Sequence, residues 1–166
     1  RHARRHMIEI QVEDPAWREA LPDVEAVVRG AAGAVLGSDP PAGGERATVL
    51  LEGDAAVREL NARFRDRDAP TNVLSFPAAA LPGEPEADPY LGDIILAFGV
   101  CAREAEEQGK PLAHHLSHLV IHGLLHLLGH DHQDDAEAEA MEVRERTLLA
   151  GLGIDDPYRS IVDTAP

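Results

Sequence analysis

Ile8, Ile10 and Val12 alternate with Glu9, Gln11 and Glu13. A period of two sends one face to a core and the other to water, so this stretch predicts a half-buried strand. From about Asp23 to Leu36 the chain is rich in Ala and Val, which predicts a helix ending near Gly37. Pro40, Pro41, Gly43 and Gly44 then make a loop. Ala47 to Glu52 (ATVLLE) predicts a second strand. Asp54 is placed to cap a helix that runs to about Phe64. Val73 to Phe76 predicts a short strand stopped by Pro77. Residues 78–89 carry Pro82, Pro85 and Pro89 among Glu84, Glu86 and Asp88, and predict an exposed acidic loop. Leu91 to Phe98 predicts a strand, and Pro111 splits the next two helices, Val100 to Glu107 and Leu112 to Leu128. A last helix is expected over Asp135 to Ala150, before a polar tail. Strand–helix–strand–helix–strand–strand followed by helices predicts one α+β domain built on a small sheet. The expected domain covers 7–158, with 1–6 a non-native or disordered leader and 159–166 a tail.

Composition narrows the class. The chain has 166 residues, 44% hydrophobic and 27% charged, which suits one folded domain and excludes a disordered or fibrous chain. No apolar run reaches the roughly 18–20 residues that a transmembrane helix needs. The basic start, Arg1 to His6, is not followed by an apolar signal-peptide core. Cys101 is the single cysteine, so neither an intrachain disulfide nor a Cys-based zinc site is available. These features predict a cytoplasmic protein with no membrane partner. The formal charge of −15 argues against a general nucleic-acid coat, and DNA is not expected as a partner. A local basic site remains open to it.

The candidate chemistry lies in the histidines. Seven of the nine fall between His114 and His132, and the core of that segment reads HLVIHGLLHLLGHDH over 118–132. His122 and His126 are four apart on a predicted helix, so they sit about 40° apart on one face, one turn above the other. Two imidazoles so placed can share one metal ion. Gly129 can end the helix in a left-handed turn, which lets the chain bring His132 to the same ion. The pattern His122-xxx-His126-xx-Gly129-xx-His132 has the spacing of the metzincin site H-E-x-x-H-x-x-G-x-x-H. The glutamate that acts as general base in those proteases is Gly123 here. Three neutral ligands on zinc leave a position for water and lower its pKa towards about 7. His130 competes with His132 as third ligand, and the six-residue spacing from His126 favours His132. His118 is a candidate supporting partner for His122. His114 and His115 read as a solvated helix face. Asp131 either orients a ligand imidazole or caps the turn.

A second segment, LNARFRDRDAPTNVLSFP over 60–77, belongs to the only basic concentration in the chain interior: Arg58, Arg63, Arg65 and Arg67. Arginine suits phosphate because its planar fork donates in pairs. The charge pattern alone favours an ordinary exposed helix end balanced by Asp66 and Asp68.

Together these segments resemble the YbeY family of bacterial rRNA maturation endoribonucleases. The resemblance rests on His122-Gly-x-Leu-His126-Leu-x-Gly129-x-Asp131-His132, on Asn61, Arg65 and Asp68, and on Pro70 to Pro77 (PTNVLSFP). It is supported by Leu91-Gly92-Asp93-Ile94 and by the acidic helix with Glu139, Met141 and Glu142, and it spans about Ile8 to Tyr158. The family usually has Tyr where this chain has His130. The resemblance implies an α+β fold with a metzincin-like metal-binding helix beneath a mixed sheet. It implies one Zn2+ per chain on His122, His126 and His132, with Arg65 as the catalytic arginine. It implies cleavage of single-stranded RNA in maturation of the 3′ end of small-subunit rRNA and in ribosome quality control, with small-subunit ribosomal proteins as possible partners. Thr71 and Ser75 are candidates for positioning substrate. Two other readings stay open. One is another zinc hydrolase, in which Glu137 or Glu139 would have to serve a peptidase as base. The other is a ribosome-assembly factor whose zinc is structural, closed by His130.

Overall fold

The computed structural model describes residues 7–37, 46–78, 90–129 and 134–158. Four strands form one sheet: β1 (Met7–Val12), β2 (Arg46–Glu52), β3 (Val73–Pro77) and β4 (Tyr90–Ala97). Their order is β1-β2-β4-β3. β1 and β2 pair in parallel, as do β2 and β4, while β3 runs antiparallel to β4 at the edge. The sheet is therefore mixed, as the resemblance implies. Six helices accompany it: α1 (Ala16–Ala20), α2 (Val24–Leu36), α3 (Asp54–Arg65), α4 (Phe98–Glu107), α5 (Leu112–Leu127) and α6 (Asp135–Gly151).

Strand alternation splits the interior in two. Ala47, Val49, Leu51, Ile94 and Leu96 point to the main core, where they meet Leu116, Val120, Ile121 and Leu124 of α5 and Val24, Val28 and Ala32 of α2. Leu74, Ile95 and Ala97 point the other way, onto Val57 of α3. α5 is the central helix: it packs on α2, α4, α6, β3 and β4. Its apolar residues lie on several sides because each side has a neighbour to cover.

The expected elements form, with shifted ends and one addition. α1 is too short to carry a periodicity, and it is anchored by one buried residue, Trp17, whose indole N–H donates to Glu52 O at 3.0 Å. α4 starts at Phe98, because β4 passes into it without a turn residue. Pro77 belongs to β3, and its missing N–H faces away from β4 on this edge strand. Asp54 does not cap its own helix. Gly53 holds the cap position, and the Asp54 carboxylate instead accepts from Val100 N at 3.1 Å, in the first turn of α4. The expected acidic loop lies outside the described residues from 79 to 89, as do the leader at 1–6 and the tail at 159–166.

One polar clasp ties the functional elements together. Glu104 Oε1 accepts from Asn72 Nδ2 at 2.9 Å and from His115 Nε2 at 2.8 Å. It thus joins α4, the start of β3 and α5. His115 is buried, which corrects the expectation of a solvated face; His114 is half-buried. Burial pushes the His115 pKa down, against the pull of Glu104. The nitrogen that faces the Glu104 oxygen is Nε2, so the neutral imidazole donates through Nε2–H. Asn72 O in turn accepts from Ala97 N at 3.0 Å and from the Cys101 thiol at 3.6 Å.

We predict that Glu104→Ala lowers stability by about 1–3 kcal/mol, since it leaves a buried donor unsatisfied. Glu104→Gln should retain most of the stability, because its amide oxygen can accept both bonds. Urea unfolding measures the difference. Equal losses in the two variants would mean that the negative charge, and not the acceptor geometry, holds the clasp.

Candidate metal centre

His118, His122 and His126 follow one another at four-residue spacing along α5. The helix persists through them because Leu, Val and Ile fill the intervening positions and are buried by its neighbours. It stops at Gly129, whose φ of +102° is open to glycine and costly for other residues. The rings of His122 and His126 are nearly parallel, with 9° between planes and centroids 6.4 Å apart.

Beneath them lies Glu145 of α6, 0% exposed. Its Oε2 is 2.7 Å from His122 Nδ1, and its Oε1 is 2.8 Å from His118 Nε2. The Tyr158 hydroxyl also donates to Oε1. Burial pushes the Glu145 pKa up, but the bonds from His118, His122 and Tyr158 outweigh it and hold the carboxyl down at about 2. The group is thus an ionised acceptor at neutral pH. His122 faces it with Nδ1, and in the neutral imidazole that donates Nδ1–H the ring's lone pair is on Nε2. A histidine whose other nitrogen is held by a carboxylate in this way is suited to a metal. His118 supports His122 through this shared carboxylate.

The donor chemistry of His122 and His126 fits zinc: two imidazoles one turn apart, one of them with its tautomer fixed. The third expected ligand, His132, lies outside the described residues with His130 and Asp131. Accordingly, no group of three or more His, Cys, Asp or Glu able to hold a metal occurs among the described residues. Glu137 and Glu139, the possible peptidase bases, are exposed on the first turns of α6.

Gly123 explains how the helix approaches the sheet. A Cβ there would stand 3.1 Å from Ile94 Cδ1 and Cγ2 and 3.1 Å from Ser75 Oγ. Residue 123 therefore faces β3 and β4, and a side chain there would have to push the Ile94 and Ser75 side chains back by a few tenths of an ångström. The edge strand lies as close to α5 as it does because this position is glycine.

Arg65 stands on the other side of β3. It is the last residue of α3, just before Asp66 turns the chain at a φ of +59°. Its Nη2 donates to Ser75 O at 2.7 Å, and its guanidinium lies 5.0 Å over the Phe76 ring. Ser75 is thus in touch with Arg65 through its carbonyl and close to Gly123 through its hydroxyl. Arg58 is engaged elsewhere, paired with Asp68 at 2.8 and 3.2 Å. That pair matches the ordinary charge-balanced helix end; Arg65 does not. Thr71 is half-buried where the chain enters β3. Asn61 is buried and secures the preceding loop, donating to Ala69 O at 2.7 Å.

Sequence reasoning missed Glu145 and Tyr158. A signal for the first was present. Met141, Glu145 and Leu149 are spaced by four and all buried, so an acid occupies a core position of an amphipathic helix. An acid at such a position needs partners. Tyr158 carried no comparable sign.

The family model described as Endoribonuclease YbeY matches residues 11–153. A protein of that name from Paramagnetospirillum magneticum is 53% identical over 158 residues, covering 91% of this chain and 94% of its own. One from Azorhizobium caulinodans is 53% identical over 154 residues, covering 91% and 95%. A solution structure of a Thermotoga maritima protein is similar in fold, with a TM-score of 0.56 at 22% identity, over 92% of this chain and 99% of that one. The match runs from β1 through the two-histidine helix to α6, so by sequence the chain belongs to the Endoribonuclease YbeY family.

Proposed function

We propose that this chain is a zinc-dependent endoribonuclease specific for single-stranded RNA. It acts in the cytoplasm on the 3′ end of small-subunit rRNA and in ribosome quality control. Family membership makes it a hydrolase of RNA phosphodiester bonds. The observation that carries the metal part of the reading is the His122–Glu145 bond beside the parallel ring of His126. A carboxylate-bonded imidazole one helical turn from a second, parallel imidazole has the donor arrangement of a metal site.

In this reading His122, His126 and His132 hold one zinc ion, and Glu145 keeps His122 in the ligating tautomer. When bound, zinc supplies positive charge that stabilises the negative charge growing at phosphorus. Arg65 binds a phosphate oxygen of the scissile group with the N–H donors that Ser75 does not use. Thr71 and the Ser75 hydroxyl position the nucleotide along β3. The peptidase reading loses support at Gly123, because glycine supplies no carboxylate base at that position and a side chain there would crowd Ile94 and Ser75.

Three outcomes are expected. First, His122→Ala and His126→Ala lose stoichiometric zinc by elemental analysis, His130→Ala keeps it, and Glu145→Gln weakens it about 10–100-fold. Zinc that persists in His122→Ala would contradict the ligand assignment. Second, Arg65→Ala keeps zinc and fold but cleaves single-stranded RNA about 10²–10³-fold more slowly, as expected for loss of one preorganised donor. Arg65→Lys should recover only part, since a point charge cannot reproduce a paired guanidinium contact. Parental cleavage by the Ala variant would remove Arg65 from the mechanism. Third, casein should survive the zinc-loaded parent, and Gly123→Glu should lose about 1–3 kcal/mol of stability by overpacking without gaining peptidase activity. Chelator-sensitive casein digestion by the parent would overturn the nuclease reading in favour of a peptidase.

A further inference from the structure

Phe64 is 58% exposed, more than any other large hydrophobic residue among those described. Single exposed apolar residues are ordinary. The surroundings of this one are not. It lies on the last turn of α3 and meets the Phe76 ring edge-on, with centroids 5.6 Å apart and 69° between planes. The Arg63 guanidinium lies over one face of the Phe64 ring, 5.8 Å from its centroid, and Arg65 covers Phe76 at 5.0 Å. Arg67 follows on the exposed turn. Neither Arg63 nor Arg67 makes an ion pair among the described residues, whereas Arg58 does. A chain with a charge of −15 and only three phenylalanines thus gathers two of them beside three arginines in the segment 63–67, of which Arg63 and Arg67 make no ion pair among the described residues and Arg65 is bonded to Ser75 O.

The chemistry of this surface selects its occupant. An exposed aromatic ring with a guanidinium over one face and the other face left to a ligand recognises a planar ring joined to anions, which describes a nucleotide with its phosphates. A second copy of the chain would bring the same positive arginines against these, and like charges oppose that contact. Duplex RNA keeps its bases stacked inside and offers no ring to Phe64.

We propose that Phe64 is a stacking platform for one unstacked base of single-stranded RNA, with Arg63 and Arg67 on the adjoining phosphates. This subsite rests on the endoribonuclease reading and extends it. The preference for single strands is then made at the end of α3, across β3 from the histidines.

The test uses the full-length, zinc-loaded protein. Phe64→Trp places an exposed fluorophore there, while Trp17, the only native tryptophan, is 0% exposed and reports little. A single-stranded 2′-O-methyl RNA 12-mer should quench the new fluorescence; the same strand in a duplex, and inorganic polyphosphate, should not. In cleavage kinetics Phe64→Ala should raise KM about tenfold, within the range measured for loss of one base stack, with the loss falling on KM and not on kcat. Phe64→Tyr should recover it. Zinc content and melting temperature should stay parental, as expected for a side chain facing water. Equal quenching by the duplex, or a parental KM in Phe64→Ala, would overturn the platform. So would a parent that is dimeric and becomes monomeric in Phe64→Ala, which would give the surface to a second copy. If the parent cleaves no RNA at all, the endoribonuclease reading fails separately, and the fluorescence still decides whether Phe64 stacks a base.

Discussion

A single ionised carboxylate with no exposure to water anchors the site. Taking Glu145 out of water costs several kcal/mol unless its oxygens are fully hydrogen-bonded. Its partners are two turns of α5, through His118 and His122, and the C-terminal segment, through Tyr158. These contacts fix how α5 lies against α6, and they fix which nitrogen of His122 faces outward. The energetic demand of the buried charge and the chemical demand for one histidine tautomer are met by the same bonds.

Glu104 repeats the device on another side of α5. There His115 donates to a carboxylate that also holds Asn72 at the start of β3. The central helix is therefore tied by imidazole–carboxylate bonds to α4 and β3 near its start and to α6 further along. Its third constraint is steric, the bare Cα of Gly123 against Ile94 and Ser75. A rigid helix constrained at three heights leaves β3 little freedom to move relative to the histidines. Arg65 is bonded to Ser75 O on that strand, so it shares the same frame. A one-ångström displacement of a positioning group can cost about 10²-fold in rate, which makes such over-determination useful.

Much of this was legible in the sequence. Alternation at Ile8, Ile10 and Val12 and the apolar run ATVLLE declare strands, because strand burial has a period that needs no partner to be read. The His122–His126 pair was legible because spacing on a helix determines geometry. What was illegible depends on tertiary neighbours. His115 looks like its neighbour His114, and only the arrival of Glu104 from α4 makes it a buried, bonded residue. Asp54 has the form of a cap for its own helix but serves α4 instead, 46 residues away. Glu145 was half legible: its stripe position showed burial, while the partners that make burial tolerable come from two other segments.

Gly123 gives the clearest view of how a peptidase-like ligand spacing can serve another chemistry. Reading the motif alone, glycine in place of glutamate is a missing base. In the fold it is also a contact, since no side chain fits between α5 and the pair β3 and β4 without displacing Ile94 or Ser75. Removing the carboxylate therefore does two things at once. It leaves out a negative charge beside His122, and it lets α5 lie close to β3, whose Ser75 carbonyl holds Arg65. A water-activating carboxylate at 123 and the close approach of α5 to β3, the strand whose Ser75 carbonyl holds Arg65, compete for the same space. The second choice favours a substrate that brings negative charge of its own, which is a property of RNA and not of an ordinary peptide bond.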